Sequence, residues 1–212
     1  MNATIHYGGR DVTFYDVDEA THIGNCLFNV CWYELPNLEI IRKLHLGGNY
    51  VDAGAHIGTH TLFFSLFCPS KNVYAFEPHP PYFKNLIKNA EANNAKNVTS
   101  FNCALVEKDN DFVPLPENEG WKYEAMSLDF FQLKDVKVLK IDVESSELRV
   151  LQGAKETLKQ VEHLFLEVWT DDVYARRGEK SPMADICAFL EPYGIHPVGP
   201  MPWEDLWHFS KK

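Results

Sequence analysis

Acidic side chains stand at the ends of several apolar, strand-like segments of this sequence. Four of them follow such a segment directly: Asp52, Glu77, Asp142 and Glu167. In a parallel α/β sheet, ligands bind beyond the carboxyl ends of the strands, because those ends meet at one edge. Carboxylates placed there can accept hydrogen bonds from hydroxyl groups or take a proton from one of them. The sequence therefore predicts an acid-lined cleft at one edge of a sheet.

A glycine-rich loop follows the first of these acids, in VDAGAHIGTHT. Gly54 and Gly58 allow the backbone to approach a ligand closely, and a helix that begins near Thr59 directs its first N–H groups to the same place. The spacing is neither the G-x-G-x-x-G of NAD sites nor the G-x-x-x-x-G-K-[ST] of phosphate loops. The loop therefore disfavours NAD and nucleoside triphosphates. A turn used only for packing is the alternative.

The next two strand ends carry groups that suit a nucleoside. Glu77, followed by Pro78, lies about 25 residues after Asp52, where a carboxylate accepts both hydroxyls of a ribose. Asn102, with the backbone at Ala104, is placed to bond an adenine edge. A surface acid and a turn-forming asparagine are the alternatives. With the glycine loop, these residues predict an adenosine site without a pyrophosphate, as S-adenosylmethionine requires, in which Asp52 orients the amino-acid end directly or through the loop.

Three acids cluster at the strand-to-helix junction of LKIDVESSELRVLQGA: Asp142, Glu144 and Glu147. Burying them together is costly unless they are paired, bound to metal or solvated. We expect Asp142 to take or orient the proton of an acceptor, with Glu144 and Glu167 as alternates. For Glu147, the alternative is a place in the first turn of a helix that a preceding serine caps.

Histidine and metal chemistry are further possibilities for this cleft. His56 and His60 lie on the glycine loop and the next helix, where a histidine base is attractive and local packing is the alternative. A divalent metal is possible but not favoured, with Asp142, Glu144 and Asp171 (or its neighbour) as ligands.

Aromatic residues near the expected cleft suggest where an acceptor binds: Trp32, Tyr33, Trp121, Tyr123 and Trp169. Aromatic faces suit the apolar side of a sugar ring, and core packing is the alternative. The formal net charge of −10 argues against RNA or DNA as substrate, because proteins that grip phosphate backbones normally present a basic face. A neutral sugar or small alcohol agrees better with this charge.

The elements that must position these residues predict one α/β domain. An N-terminal hairpin turns at Gly8-Gly9, and a helix over about 36–44 follows it. We expect strands over 49–54, 72–78, 98–105, 137–144 and 163–169, and an antiparallel pair at 196–200 and 206–211. We expect helices over 59–67, 81–93, 146–159 and 181–193, and a loop or hairpin over 108–123. Segment 1–46 is assigned to the acceptor site and 47–212 to the cofactor-binding core.

The rest of the composition indicates a globular cytoplasmic protein. No run of about 18 apolar residues predicts a membrane span, and the N-terminus lacks the pattern of a signal peptide. The five cysteines are scattered, without a CxxC pair, and we interpret them as reduced thiols.

Together these segments resemble the FkbM family of methyltransferases. The matching stretches are VDAGAHIGTHTLFF, VYAFEPHPPYFKNLIKNAEANN, NCAL, SLDFF, LKIDVESSELRVLQGA and LFLEVW. They follow the order of the family over about residues 48–170, and IDVE before a helix that ends in LxGA is the most specific part. Ser145 stands where the family usually has glycine, which narrows the site there.

The resemblance implies a Rossmann-like class I methyltransferase fold, with a mostly parallel sheet, helices on both faces and an antiparallel C-terminal strand. It also implies S-adenosylmethionine as cofactor and O-methylation of sugars, polyketides or related small molecules. The residues that it places in the cleft are Asp52, Gly54, Ala55, His56, Gly58, Glu77, Asn102 and Asp142. We predict an O-methyltransferase acting on a sugar or glycan hydroxyl.

Several rivals stay open at this point. They are a non-sugar alcohol as acceptor, a non-catalytic scaffold that binds S-adenosylmethionine, and a nucleic-acid or protein methyltransferase, against which the strand end IDVE argues. The family shares no single acceptor, so the acceptor does not follow from the fold. The sequence also leaves the oligomeric state open.

Overall fold

The computed structural model of the protein describes residues 1–109, 111–114, 122–203 and 205–211. Its strands are β1 (Ala3–Tyr7), β2 (Arg10–Phe14), β3 (Asn49–Ala53), β4 (Val73–Phe76), β5 (Val98–Phe101), β6 (Ala104–Leu105), β7 (Asp111–Pro114), β8 (Lys122–Met126), β9 (Val136–Ile141), β10 (His163–Glu167), β11 (Ile195–Pro200) and β12 (Leu206–Lys211). Its α-helices are α1 (His22–Phe28), α2 (Leu35–Lys43), α3 (Thr59–Phe67), α4 (Pro80–Ala92), α5 (Glu147–Gln152), α6 (Lys155–Leu158), α7 (Asp171–Arg177) and α8 (Met183–Leu190).

A seven-stranded sheet with the order β11-β12-β10-β9-β3-β4-β5 forms the centre of the molecule. Strands β10, β9, β3, β4 and β5 run parallel, whereas β12 is antiparallel to both of its neighbours. All five residues of β3 are buried, as expected for a central strand covered on both faces. The predicted fold class and the antiparallel C-terminal strands are confirmed, and the carboxyl ends of β3, β4, β9 and β10 share one edge.

Side chains alternate between two hydrophobic cores, one on each face of the sheet. Val51, Leu139 and Leu164 point to the face covered by α5, α6 and α8. Their neighbours Tyr50, Val138 and Phe165 point to the other face, where the N-terminal hairpin, α1, α2 and α3 pack. The N-terminal segment therefore shares a core with the sheet.

Two predicted elements differ from the structure. Segment 98–105 is not one strand, because β5 ends at Phe101 and β6 joins β8 and β7 in a separate three-stranded sheet. The predicted helix over 146–159 is two helices, separated at Gly153 and Ala154. A Cβ on Gly153 would lie 2.0 Å from the carbonyl oxygen of Val106, so the chain breaks where another backbone comes close.

The remaining predictions of elements have mixed outcomes. The hairpin at Gly8-Gly9, the helix over 59–67 and the C-terminal pair are confirmed. In and beyond the predicted segment 108–123, strands β7 and β8 pair antiparallel, and β8 continues to Met126; residues 115–121 lie outside the described residues. Helices α1 and α7 were not predicted. None of the helices in the described part of the chain has the length and apolar character needed to cross a bilayer, and all five cysteines are free.

Candidate active site

Strand register brings the predicted acids to one edge of the sheet. Residue Ile141 of β9 is paired with Ala53 of β3 on one side and with Leu166 of β10 on the other. The next residue along each strand is therefore Asp142, beside Gly54 and Glu167. The amide of Asp142 donates to the carbonyl of Ala53 at 3.0 Å, which fixes this junction.

The glycine loop after β3 is held tightly against its neighbours. Gly54 has a φ of 79°, and a Cβ there would lie 1.7 Å from the carbonyl oxygen of Asp142. Gly58 has a φ of 91°, and a Cβ there would lie 2.6 Å from Cδ1 of Leu86. The backbone N–H groups of Gly54 and Ala55 both donate to the carbonyl of Phe76 at 3.0 Å. Only glycine satisfies these positions, and α3 begins at Thr59 as predicted.

Glu77, directly after β4, is buried, and backbone amides hold its carboxylate. Oε2 accepts from the N–H of His56 and Oε1 from the N–H of His79, both at 2.8 Å. Burial raises the pKa of Glu77 to about 7, against the lowering effect of these two hydrogen bonds. The glycine loop and the tip of β4 are thus joined through one carboxylate.

Asn102 lies after β5 and bridges the same tip from the other side. Its Nδ2 donates to the carbonyls of Glu77 at 2.8 Å and Pro78 at 3.0 Å. The side chain therefore orders the backbone after β4, and Oδ1 is the atom left for a ligand. Ala104, whose backbone was expected to assist, lies in β6.

His56 lies in the glycine loop with a φ of 50°, unusual for a residue other than glycine. Its ring stands 3.8 Å from that of Tyr82 between centroids, and Nδ1 is buried without a hydrogen-bond partner among the described residues. Burial lowers the pKa of His56 to about 4, although Asp142 raises it. The neutral ring is therefore the form present near neutral pH.

Asp52 is fully buried, which excludes direct contact of its carboxylate with a ligand in this conformation. Oδ2 accepts from the hydroxyl of Thr61 at 2.5 Å, and Oδ1 lies 3.4 Å from Nζ of Lys140. Of the two routes predicted for Asp52, the direct one disagrees with this burial. The route through the loop remains, since Thr61 belongs to α3 and Lys140 contacts the loop.

Lys140 is a site residue that the sequence analysis missed. Its side chain is 2% exposed, and Nζ lies 3.1 Å from Oδ2 of Asp142 and donates to the carbonyl of Gly54 at 3.3 Å. One sequence feature could have predicted it: Lys140 lies within the apolar strand KVLKI, two positions before Asp142. In a strand, residues two positions apart lie on the same face.

Asp142 and Glu167 form a coupled pair of carboxyl groups. The Asp142 side chain is 26% exposed, whereas Glu167 is largely shielded and within hydrogen-bonding reach of Asp142. Burial, together with the charges of Asp142 and Glu144, raises the pKa of Glu167 far above the ordinary range. The raised pKa favours the protonated form of Glu167 beside Asp142. Glu144 is exposed and has a φ of 55°.

Glu147 has a structural role in the first turn of α5. Its Oε1 accepts from the N–H groups of Val143 at 3.2 Å and Ser145 at 3.1 Å, and burial raises its pKa to about 7. Ser146 occupies the N-cap position but makes no capping bond with its side chain. The first-turn interpretation of Glu147 is confirmed, and the side-chain cap expected from the serine is not formed by Ser146.

A second buried polar cluster, also missed, joins the N-terminal segment to α3. Oε2 of Glu34 lies 3.3 Å from Nε2 of His60 and accepts from Asn37 at 3.0 Å. Burial opposes the charge on Glu34, but His60 and Asn37 outweigh it and lower the pKa of Glu34 to about 2. His60 is therefore buried beside the carboxylate of Glu34.

The aromatic residues predicted to contact an acceptor lie in different environments. Trp32 is 1% exposed, and its Nε1 donates to the carbonyl of Thr59 inside an aromatic core, so the predicted sugar contact of Trp32 is wrong. Tyr123 is also buried, with its hydroxyl 3.0 Å from Nδ1 of His79. Tyr33 and Trp169 are partly exposed, and Trp121 lies outside the described residues.

Metal ligation was the alternative for the acids after β9. Across the described ranges, no group of three or more His, Cys, Asp or Glu side chains is placed to hold a metal ion. Asp171 is exposed at the start of α7, and the set of Asp142, Glu144 and Asp171 does not form such a group.

Comparisons with known proteins reveal relatives in sequence and in fold. Hexuronic acid methyltransferase AglP from Haloferax volcanii is 28% identical over 133 residues, which cover 55% of this chain and 54% of AglP. The chain therefore spans about half the length of this curated relative. Its fold is similar to that of Methyltransferase FkbM from Methylobacillus flagellatus KT, with a TM-score of 0.57 and 18% identity over 78% of this chain and 44% of the other. It is also similar to M. jannaschii TYW2 in complex with AdoMet, with a TM-score of 0.50 and 15% identity over 100% and 87% of the two chains.

The family model of the methyltransferase FkbM domain matches residues 52–194, from Asp52 in β3 to Gly194 after α8. This segment contains the glycine loop and the carboxylates of Glu77, Asp142 and Glu167. Because it covers about two thirds of the 212 residues, the chain belongs to the FkbM methyltransferase domain family.

Proposed function

We propose that this protein binds S-adenosylmethionine at the tips of β3 and β4 and transfers the methyl group to a hydroxyl of a sugar or glycan. The observation that carries the proposal is the Glu77 carboxylate, which is buried beside the glycine loop with each oxygen fixed by a backbone N–H at 2.8 Å. Each carboxylate oxygen keeps a lone pair for one hydroxyl of a ribose.

The surrounding residues fit an adenosine-bearing ligand. Nδ1 of His56 is a buried polar atom that lacks a partner among the described residues, as expected where a ligand group completes a site. Oδ1 of Asn102 is free to accept from an adenine amino group, since Nδ2 is engaged by two carbonyls. The backbone of Ala55, Pro78 and Ala104 would complete the walls.

S-adenosylmethionine supplies a methyl group already activated on a sulfonium, so the protein must align the acceptor oxygen and take its proton. A sugar hydroxyl is barely ionised near neutral pH, and a positioned base contributes about 10²–10⁴-fold. We propose Asp142 as this base, because it is the partly exposed member of the carboxyl pair and stands next to the loop. Glu167, whose raised pKa favours its protonated form, would donate to Asp142 and orient it, and Glu144 and Glu167 remain the alternates.

A sugar acceptor is supported by the relative AglP, whose name assigns it a hexuronic acid, and by two partly exposed aromatic residues, Trp169 and Tyr33. Trp169 follows β10 two residues after Glu167, and the ring of Tyr33 lies 6.2 Å from that of His60 on α3. Tyr33 would bring the N-terminal segment to the acceptor side. The charge of −10 disfavours a polyanionic nucleic acid.

Transfer of a labelled methyl group tests the proposal. The protein is incubated with [methyl-14C]-S-adenosylmethionine and a panel of neutral sugars, uronic acids, glycans, small alcohols and RNA, with a reaction lacking the protein as the control. We expect label in an ether on a sugar. Label in a small alcohol alone would support O-methylation and contradict a sugar as the acceptor. Cofactor binding without transfer to any acceptor would support a scaffold, and label in RNA would overturn the proposal.

A further inference from the structure

The buried side chain of Lys140 contacts both β9 and the glycine loop after β3. Its ammonium contacts the Asp142 carboxylate on β9, the Asp52 carboxylate on β3 and the carbonyl of Gly54 in the glycine loop, at 3.1, 3.4 and 3.3 Å. Asp52 and Lys140 are paired directly in the register of the two central strands, so the backbone itself brings these groups together. One cation therefore connects the proposed base with the cofactor loop.

Stability alone does not explain a lysine at this position. Its neighbours on the same face, Val138 and Phe165, belong to a hydrophobic core, which an apolar side chain would extend. A buried ion pair contributes little net stability compared with well-packed apolar residues. Burial also lowers the pKa of Lys140, but the carboxylates of Asp142, Asp52 and Glu34 outweigh that effect and raise it, so the side chain remains an ammonium.

We propose that Lys140 is a positioning residue for methyl transfer, whose ammonium fixes the orientation of the Asp142 carboxylate and the position of the Gly54 carbonyl as one unit. This inference rests on the proposed function, in which Asp142 is the base and the glycine loop binds the cofactor. Lys140 engages Oδ2 of Asp142, so it limits rotation of the carboxylate about the Cβ–Cγ bond. It does not touch the acceptor, because it is buried beneath the cleft.

Removing Lys140 alone would leave two carboxylates without a cation, one of them fully buried, which is strongly destabilising. The informative comparison is therefore between Asp52→Asn and the double variant Lys140→Met with Asp52→Asn. The amide introduced by Asp52→Asn keeps an oxygen for the hydroxyl of Thr61 and leaves Lys140 on Asp142 and Gly54. Lys137→Met serves as a control, since Lys137 lies on the same strand but pairs with Glu162 outside the cleft.

Two measurements distinguish a positioning role of Lys140 from a role in charge balance alone. Relative to Asp52→Asn, we expect the double variant to lose about 10²-fold in kcat, the effect of a misplaced catalytic group. We expect its Kd for S-adenosylhomocysteine, measured by calorimetry, to rise about tenfold through loss of a charged hydrogen bond to the loop. Lys137→Met should match the wild type in both. A double variant that folds and equals Asp52→Asn in kcat and Kd overturns the inference.

A measurement on the unmodified protein covers the case in which the double variant fails to fold. The 15N resonance of the Lys140 ammonium is followed by NMR as S-adenosylhomocysteine is added, with Lys137 as internal reference. We expect the Lys140 signal to shift on saturation and the Lys137 signal to stay, and an unmoved Lys140 signal overturns the inference. Wild-type protein that binds no S-adenosylhomocysteine contradicts the proposed function itself, so the two failures are distinguishable.

Discussion

The two ends of the candidate site are built in different ways. At β3 and β4, the backbone holds the polar groups: both oxygens of Glu77 accept main-chain N–H groups, and the amide of Asn102 donates to two main-chain carbonyls. At β9 and β10, side chains hold one another, with Asp142 between Lys140 and Glu167. The first end is thus fixed by main-chain geometry and the second by charge.

This difference suggests that one end binds the cofactor and the other performs the chemical step. A carboxylate whose two oxygens are held by main-chain amides keeps a fixed orientation, which suits recognition of an unchanging cofactor. A cluster of coupled carboxyl groups can exchange a proton, which suits the chemical step. Substitutions at the end of β3 and β4 should therefore impair cofactor binding, and substitutions at the end of β9 and β10 should impair turnover.

The largest expected effect is that of Asp142→Asn at the side-chain-ordered end. We expect kcat to fall by about 10²–10⁴-fold, because the acceptor proton loses its base. Calorimetry should show little change in the Kd of S-adenosylhomocysteine. The exposed Asp185→Asn on α8 is the matched control. Near-normal turnover in Asp142→Asn would contradict the role of Asp142 as the base. Loss of cofactor binding in this variant would contradict the separation of binding and catalysis between the two ends.

Gly54→Ala should break the junction between the two ends. Its Cβ would meet the carbonyl of Asp142 at 1.7 Å, so several kcal/mol of unfolding free energy should be lost. Gly9 has nearly the same φ, 80° against 79°, with nothing within 4 Å of its Cβ. Gly9→Ala should therefore cost only about 1–2 kcal/mol of backbone strain. Equal losses in urea unfolding would show that the close approach is unimportant.

Glu77→Gln probes the backbone-ordered end. We expect about 10–100-fold weaker binding of S-adenosylhomocysteine, since a charged acceptor of hydroxyl groups is lost, with kcat at saturating cofactor nearly unchanged. The pKa of Glu77 is raised to about 7, so wild-type affinity should fall as the pH drops through 7 and the carboxylate is protonated. Glu77→Gln should lack this dependence, and Glu91→Gln on the exposed side of α4 should keep it. A fall in kcat without a change in Kd would contradict the assignment of cofactor binding to this end.

The smallest effect is expected at Glu147, which shares the acidic end but faces away from the chemistry. Its pKa is raised from 4.5 to about 7, so the folded state binds more protons than the unfolded chain between these pH values, and stability falls as the pH rises through that window. Glu147→Gln should gain about 1–3 kcal/mol over the wild type above pH 7 and nothing near pH 4. Thermal unfolding at both pH values, with the exposed Glu156→Gln as control, measures this; a gain that is the same at both would contradict the assigned cause.

Sequence reasoning predicted the backbone-ordered end well, because its signals are local. The apolar run before Asp52, the two glycines and the acid after β4 each have a meaning within a few residues of chain. The helix over 146–159 was too long, since Gly153 is required by the approach of Val106 from a distant segment, which no local pattern reveals.

The side-chain-ordered end was predicted only as a cluster of acids. The partners that decide its chemistry come from other strands: Lys140 meets Asp52 across the sheet, and Glu167 meets Asp142 through the β9–β10 register. Trp32 was misassigned for the same reason, because its burial depends on packing of the N-terminal hairpin against α3. Charge coupling and burial are properties of the assembled sheet.

The most direct test of the central claim is a crystal structure of the protein with S-adenosylhomocysteine bound. The account predicts the two ribose hydroxyls within hydrogen-bonding distance of the Glu77 carboxylate, with the sulfur turned toward Asp142. An adenosine bound elsewhere, or a Glu77 whose oxygens contact only the amides of His56 and His79 in the ligand-bound crystal, would contradict it.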